Sequence, residues 1–166
     1  MKKILLIGLF CLCAVSVRAA AGNNDEFRNL NVLKGTQLYG GYSRNFGEKE
    51  EKYNVFEIGL GRVNFGGTET SGYNYYAGSE LVFNSRHFSL GPKAGASFSI
   101  WMFGLGGELI YYTDFSGNTL HFAPYLTFGA GMTKLNVKYH APLYNKDYAG
   151  INQVSLGITI GLTKPK

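Results

Sequence analysis

Residues 153–163 read QVSLGITIGLT, with Val154, Leu156, Ile158, Ile160 and Leu162 at every second position. Ser155, Gly157, Thr159 and Gly161 fill the positions between, and no charge interrupts the run. Side chains with period two stand on opposite faces of an extended strand, so this segment is a β-strand with one apolar and one small, polar face. Such a strand has to place its two faces in two different environments. Residues 88–100 repeat the pattern, with Phe88, Leu90, Pro92, Ala94, Ala96, Phe98 and Ile100 set against Ser89, Gly91, Lys93, Gly95, Ser97 and Ser99. Pro92 removes a ladder donor and predicts a local irregularity there.

The same alternation extends along the chain. In 103–115, Phe103, Leu105, Leu109, Tyr111 and Phe115 oppose Gly104, Gly106, Glu108, Tyr112 and Asp114. In 131–140, Leu135, Val137 and Tyr139 oppose Lys134, Asn136, Lys138 and His140. Weaker strands fall at 36–46, 53–65, 73–85 and 119–128. Short connections rich in Gly, Asn and charge separate them: 47–52, 66–72, around Arg86, around Trp101, 116–118, around Gly129 and Ala130, and 141–150. Strands of this length joined by short turns predict an all-β, up-and-down antiparallel transmembrane barrel of about eight strands.

The first 21 residues read as an export signal. Lys2 and Lys3 precede an apolar run from Ile4 to Val17, and Ala19, Ala20 and Ala21 offer a cleavage site. That run is too short to span a bilayer as a helix. Both cysteines, Cys11 and Cys13, lie inside it, preceded by Phe10 and Leu12 rather than by the small residue that lipidation requires. The mature chain therefore has no thiol chemistry. Removing the signal takes Lys2, Lys3 and Arg18 from 16 basic residues, which leaves 13 against 11 acidic ones, a net charge of +2. So small an excess gives no reason to expect nucleic acid as a partner. Residues 22–34 form a polar lead-in, and 35–164 are assigned to the barrel.

Which face is outside separates two classes of barrel. A soluble ligand-binding barrel turns its apolar face inward and needs a polar exterior. Residues 73–131 carry only Glu80, Arg86, Lys93, Glu108 and Asp114 as charges, thin cover for a wall in water. Charged residues are 16% of the chain and aromatics 15%. The polar face instead suits the inside of a narrow barrel, where small residues leave room for a few long ones. With the N-terminus periplasmic, two aromatic belts are expected. Phe65, Tyr73, Tyr75, Trp101, Phe103 and Phe128 form one, and Phe46, Tyr53, Phe83, Phe88, Tyr111, Tyr112, Phe115, Phe122 and Tyr139 the other.

In texture, YYAGSELVFN, FSLGPKAGASFSI, FGLGGELIYYTDFSGN and INQVSLGITIGLT resemble outer-membrane β-barrel domain proteins of the Bacteroidota, with the small OmpA/OmpX-type barrels as the architectural comparison. The resemblance covers about residues 35–164. The alternation with sparse charge and short turns predicts a structural or surface-interaction role without enzymatic activity or cofactor, with outer-membrane lipids as partners and the surface partner unknown. The resemblance specifies no activity and implies insertion by the barrel assembly machinery. It also implies a last strand ending in an aromatic residue, whereas this chain ends Leu162-Thr163-Lys164-Pro165-Lys166.

Parity places Glu57, Glu80, Lys93, Glu108, Lys134 and Lys138, together with Arg62, in the lumen, where charges must pair to offset desolvation. A polar network that plugs the barrel is the expected result. Two other readings compete. His87-Phe88-Ser89 has the His-x-Ser spacing of lipid A deacylases, where His would activate a nucleophilic Ser, although Trp101 stands where an orienting carboxylate would be sought. A soluble periplasmic barrel that binds a lipid is the other. His121 and His140 lack metal-ligand spacing, Gly59-Leu60-Gly61 lacks a phosphate-binding context, and Glu48 to Lys52 read as a solvated loop.

Overall fold

A computed structural model describes residues 33–47, 51–65, 71–130, 132–146, 148 and 151–164. The expected export signal at 1–21 and most of the polar lead-in lie outside the described residues. Nine strands follow in order: β1 (Leu33–Phe46), β2 (Tyr53–Phe65), β3 (Ser71–Phe83), β4 (Phe88–Ile100), β5 (Phe103–Thr113), β6 (Asn118–Ala130), β7 (Thr133–Tyr139), β8 (Ala141–Tyr144) and β9 (Val154–Gly161). Each pairs antiparallel with its neighbours, and β1 pairs with β9 from Tyr39↔Gly161 to Phe46↔Val154, which closes the sheet on itself. β7 and β8 are two parts of one stave, both paired with β6 and parted at His140. The result is an eight-staved up-and-down barrel, as the alternation and short turns require.

The assignment of 141–150 to a connection is corrected by β8. Ala141–Tyr144 continue the ladder against Leu120, His121 and Phe122, with a register shift between Leu120 and His121. Pro142 hid this strand, because a proline argues against a ladder except at an edge or a bulge. The irregularity expected at Pro92 is present: the β4–β5 ladder runs from Leu90↔Thr113 to Lys93↔Ile110 and skips Gly91 and Pro92.

The turns have local causes. Asn84 Oδ1 accepts from the amides of Arg86 (2.8 Å) and His87 (2.7 Å) between β3 and β4. Asp114 Oδ1 does the same for Ser116 (2.9 Å) and Gly117 (2.7 Å) between β5 and β6. Both are side-chain mimics of a backbone turn. Trp101, in the two-residue β4–β5 turn, has a φ of 56°, and Phe115 one of 68°.

Burial follows parity around the barrel. Leu60, Leu105, Leu126, Ile58 and Leu156 are more than half exposed on the outer face. Among the described strand residues, the outward charges are Lys34, Arg44 and Arg62, all near strand ends. Arg62 is thus outside, not in the lumen as expected: five residues from Glu57 on β2, it takes the opposite face. Two aromatics expected in the outer belt are inside: Tyr53 is 2% exposed and Tyr112 is 0% exposed. Tyr112 shares its parity with Glu108, and Tyr53 shares its parity with Glu57.

Candidate functional site in the barrel lumen

At mid-height, β2, β3, β4, β5 and β7 each send one charged side chain inward: Glu57, Glu80, Lys93, Glu108 and Lys138. Each lysine touches all three carboxylates. Lys93 Nζ contacts Glu57, lies 2.8 Å from Glu80 Oε1 and 3.3 Å from Glu108 Oε2. Lys138 Nζ lies 3.1 Å from Glu57 Oε2, 2.9 Å from Glu80 Oε1 and 2.8 Å from Glu108 Oε1, the last off the line of a hydrogen bond. Hydroxyls cap the remaining oxygens. Tyr76 donates to Glu108 Oε2 (2.7 Å), Tyr112 to Glu80 Oε2 (2.7 Å) and Thr159 to Glu57 Oε1 (2.5 Å). Ions removed from water are tolerated only when paired and hydrogen-bonded in this way.

Small residues make the room. Gly41 is the ladder partner of Glu57, Gly91 of Glu80, Gly95 of Glu108 and Gly78 of Lys93. A methyl group at Gly95 would lie 2.7 Å from Tyr76 Oη and 2.8 Å from Glu108 Cβ. Four of the five long side chains thus lie over a glycine on the next strand, and Lys138 is paired with Ser155 on β9, the large-against-small filling that a narrow barrel needs.

The two halves of the lumen differ. The half toward the β1–β2, β3–β4 and β5–β6 turns is packed with Tyr53, Val55, Val82, Ile110, Tyr112, Ala123, Tyr148 and Ile151. Tyr148 and Ile151 follow β8 in the chain and are buried in this half; Tyr148 Oη lies 2.7 Å from Ser89 Oγ. Beneath them His140 Nε2 lies 2.8 Å from Ser155 Oγ. The half toward the chain termini holds a cavity of about 90 Å³, whose lining includes Tyr39, Asn74, Lys134 and Asn136, with a smaller one of about 30 Å³ beside Trp101.

Of the six residues assigned to the lumen network, the structure gathers five. Lys134 also faces inward, but among the described residues no carboxylate lies within ion-pair distance of it. The cluster has three carboxylates to two ammoniums, and Lys134 balances the total from across the cavity. Tyr76, Tyr112 and Thr159 are not assigned as capping partners from the sequence, although Tyr76 and Tyr112 share the parity of Glu80 and Glu108 on their strands and Thr159 lies on the polar face of its own.

Ser89 is buried against Tyr148, while the half-exposed His87 ring lies 3.9 Å from Glu51. Glu51 is more than part of a solvated run. Its carboxylate accepts from Asn84 Nδ2 (2.8 Å) and Tyr53 Oη (3.3 Å), and its carbonyl accepts from Asn152 Nδ2 (2.5 Å). The Asn84 bond above all holds the Glu51 carboxyl below its ordinary range. The amides of Gly117 and Ser116 do likewise for Asp114.

The chain is thus a closed, eight-stranded antiparallel barrel, apolar outside and ion-paired within, compatible with a small outer-membrane barrel. Comparison with protein-family models, curated proteins and solved structures gave no match.

Proposed function

We propose that this protein is a small outer-membrane β-barrel of a Gram-negative cell, exported by residues 1–21 and inserted by the barrel assembly machinery. Its role is structural or concerns interactions at the surface, and it is neither an enzyme nor a wide pore. The observation that carries this reading is the inversion of polarity: Leu60, Leu105 and Leu126 face out while Glu80, Lys93 and Glu108 are buried within. A barrel in water would expose that leucine-rich wall at great cost, whereas in lipid it is the favoured surface. On β2 the stretch from Asn54 to Arg62 rises about 26 Å, or about 20 Å along the membrane normal at a tilt of about 40°, close to the ~25 Å band of such barrels. Exposed aromatics flank it, with Tyr73, Tyr75, Trp101 and Phe103 toward the termini and Phe46, Phe88, Tyr111 and Tyr139 toward the other end. The Bacteroidota resemblance agrees with this placement.

The packed lumen supports a role without bulk diffusion, and the burial of Ser89 against Tyr148 supports a non-enzymatic one. Membrane fractionation with heat-modifiable gel migration tests the location. Cysteines at Leu156 and Ser155 test the faces: the first should react with a lipid-phase label and the second should not. A monomer that stays in solution without detergent, or labelling at Ser155 alone, overturns the proposal. An altered lipid A mass profile in cells lacking the protein would favour a lipid-modifying enzyme instead.

A further inference from the structure

The cavity of about 90 Å³ between the ion cluster and the terminal end of the lumen has polar groups with no partner among the described residues. Asn136 is 4% exposed. Its Nδ2 donates to Thr159 Oγ1 at 2.8 Å, and that hydroxyl in turn donates to Glu57 Oε1. This relay fixes the amide's orientation and leaves Asn136 Oδ1 buried without a donor. Tyr39 Oη and Asn74 Oδ1 are likewise buried and unmatched on the same wall. Native interiors rarely leave such atoms unsatisfied unless something else occupies the space.

The charge facing this space is positive. Lys93, Lys134 and Lys138 line it against Glu57 and Glu108, while Glu80 lies behind them. Glu57 Oε1 and Oε2 and Glu108 Oε2 are hydrogen-bonded by Thr159, Lys93, Lys138 and Tyr76, while Glu108 Oε1 is met by the Lys138 ammonium at 2.8 Å off the line of a hydrogen bond. Lys134 is in ion-pair contact with no carboxylate among the described residues, so its ammonium is open to direct contact with a ligand. Scaled from a cavity of about 150 Å³ that holds benzene, the space takes about four heavy atoms.

We propose that this cavity binds a small organic anion of the monocarboxylate class. Its carboxylate pairs with Lys134 and accepts from Tyr39 Oη. An α-hydroxyl, where present, donates to the free Asn136 or Asn74 oxygen. Size and charge together favour formate and acetate, with three and four heavy atoms; glycolate, with five, is the upper limit of the space and alone offers a donor to an unmatched acceptor.

Trp101, the single tryptophan of the chain, lines the adjoining smaller cavity together with Lys134 and Asn74, and so reports on the site. The refolded full chain in detergent micelles is titrated with sodium formate, acetate, glycolate and benzoate against sodium chloride at equal ionic strength, read by Trp101 fluorescence and by calorimetry. A saturable response to the small carboxylates, absent with chloride and with the oversized benzoate, is expected. Lys134→Gln should weaken binding about tenfold or more, the worth of a charge-assisted bond. Tyr39→Phe should weaken it severalfold, and serves if Lys134→Gln does not refold. Lys52→Gln, exposed at the opposite mouth, should bind as the parent does. A response that does not saturate, equals that of chloride or benzoate, or persists unchanged in the Lys134 and Tyr39 variants overturns the proposal and leaves a cavity holding water alone. The measurement is made on the isolated barrel, so its failure leaves the outer-membrane reading untouched.

Discussion

Glu57 and Glu80 are direct cross-strand partners on β2 and β3, two carboxylates at one paired position inside the barrel. Like charges directly opposite destabilise a sheet. This pair stands because Lys93 and Lys138 each contact both members. The two lysines are therefore less replaceable than any one of the three glutamates they serve. Lys138→Ala or Lys93→Ala should cost about 3–5 kcal/mol, since each leaves buried carboxylates short of a counter-charge. Glu57→Gln keeps the shape, removes one of three negative charges, and should cost about 1 kcal/mol. Ser97→Ala, off the cluster, should cost less than either lysine change. Urea unfolding in detergent micelles ranks them, and equal losses for Lys138→Ala and Glu57→Gln would contradict the shared-lysine account.

Coupling should follow distance within the cluster. Lys138 lies 2.8 Å from Glu108 and Lys93 lies 3.3 Å from it. Each lysine and Glu108 should show a double mutant less damaged than the sum of its singles, and the Lys138 pair should depart further from additivity. The same unfolding measurements give both cycles. Simple addition in both would mean that Glu108 does not share charge with either lysine.

Gly95 tests the packing of the lumen. An added methyl group would crowd Tyr76 Oη and Glu108 Cβ at 2.7 and 2.8 Å, while at Gly117 the nearest atom is 3.7 Å away. Gly95→Ala should lose about 1–3 kcal/mol by overpacking. Gly117→Ala should change the urea midpoint little. A neutral Gly95→Ala would show that the cluster can shift to make room.

Phe115 is 80% exposed and holds a φ of 68° in the β5–β6 turn. A left-handed backbone costs an ordinary side chain about 1 kcal/mol, and asparagine tolerates it better. Phe115→Asn should therefore stabilise the folded barrel slightly and give up little burial. A lower unfolding midpoint would show that the ring has contacts that offset the strain.

Glu51 ties the β1–β2 turn to Asn84 and, through its carbonyl, to Asn152. Its carboxyl is held below the ordinary range, so the clamp is present above that range and is lost as pH falls through the lowered value. Amide hydrogen exchange at residues 84–87 should quicken on acidification, after correction for the intrinsic rate. Glu51→Gln should remove most of that pH dependence. An unchanged profile in the variant would assign it to another group.

The alternation in 153–163, 88–100 and 103–115 was enough to define strands, their faces and a closed sheet, because period two is a local property of an extended chain. It also put Glu57, Glu80, Lys93, Glu108, Lys134 and Lys138 on inward positions. It failed where local signals conflicted: Pro142 concealed β8, and aromatic character drew Tyr53 and Tyr112 to a belt against their own parity. Arg62 shows the opposite error, a charge counted inward that reaches out near a strand end.

What the sequence determined by itself is therefore the two-faced strand and its repetition, since each depends on neighbours two residues apart. The tertiary structure decided which charges meet. Register places Glu57 beside Glu80, and closure brings Lys138 on β7 across the lumen to both. Those contacts join residues as far apart as positions 57 and 138. They depend on strand pairing and barrel curvature, which no local pattern encodes. For the same reason only the closed barrel leaves Lys134 apart from the three carboxylates, facing a cavity instead of a partner.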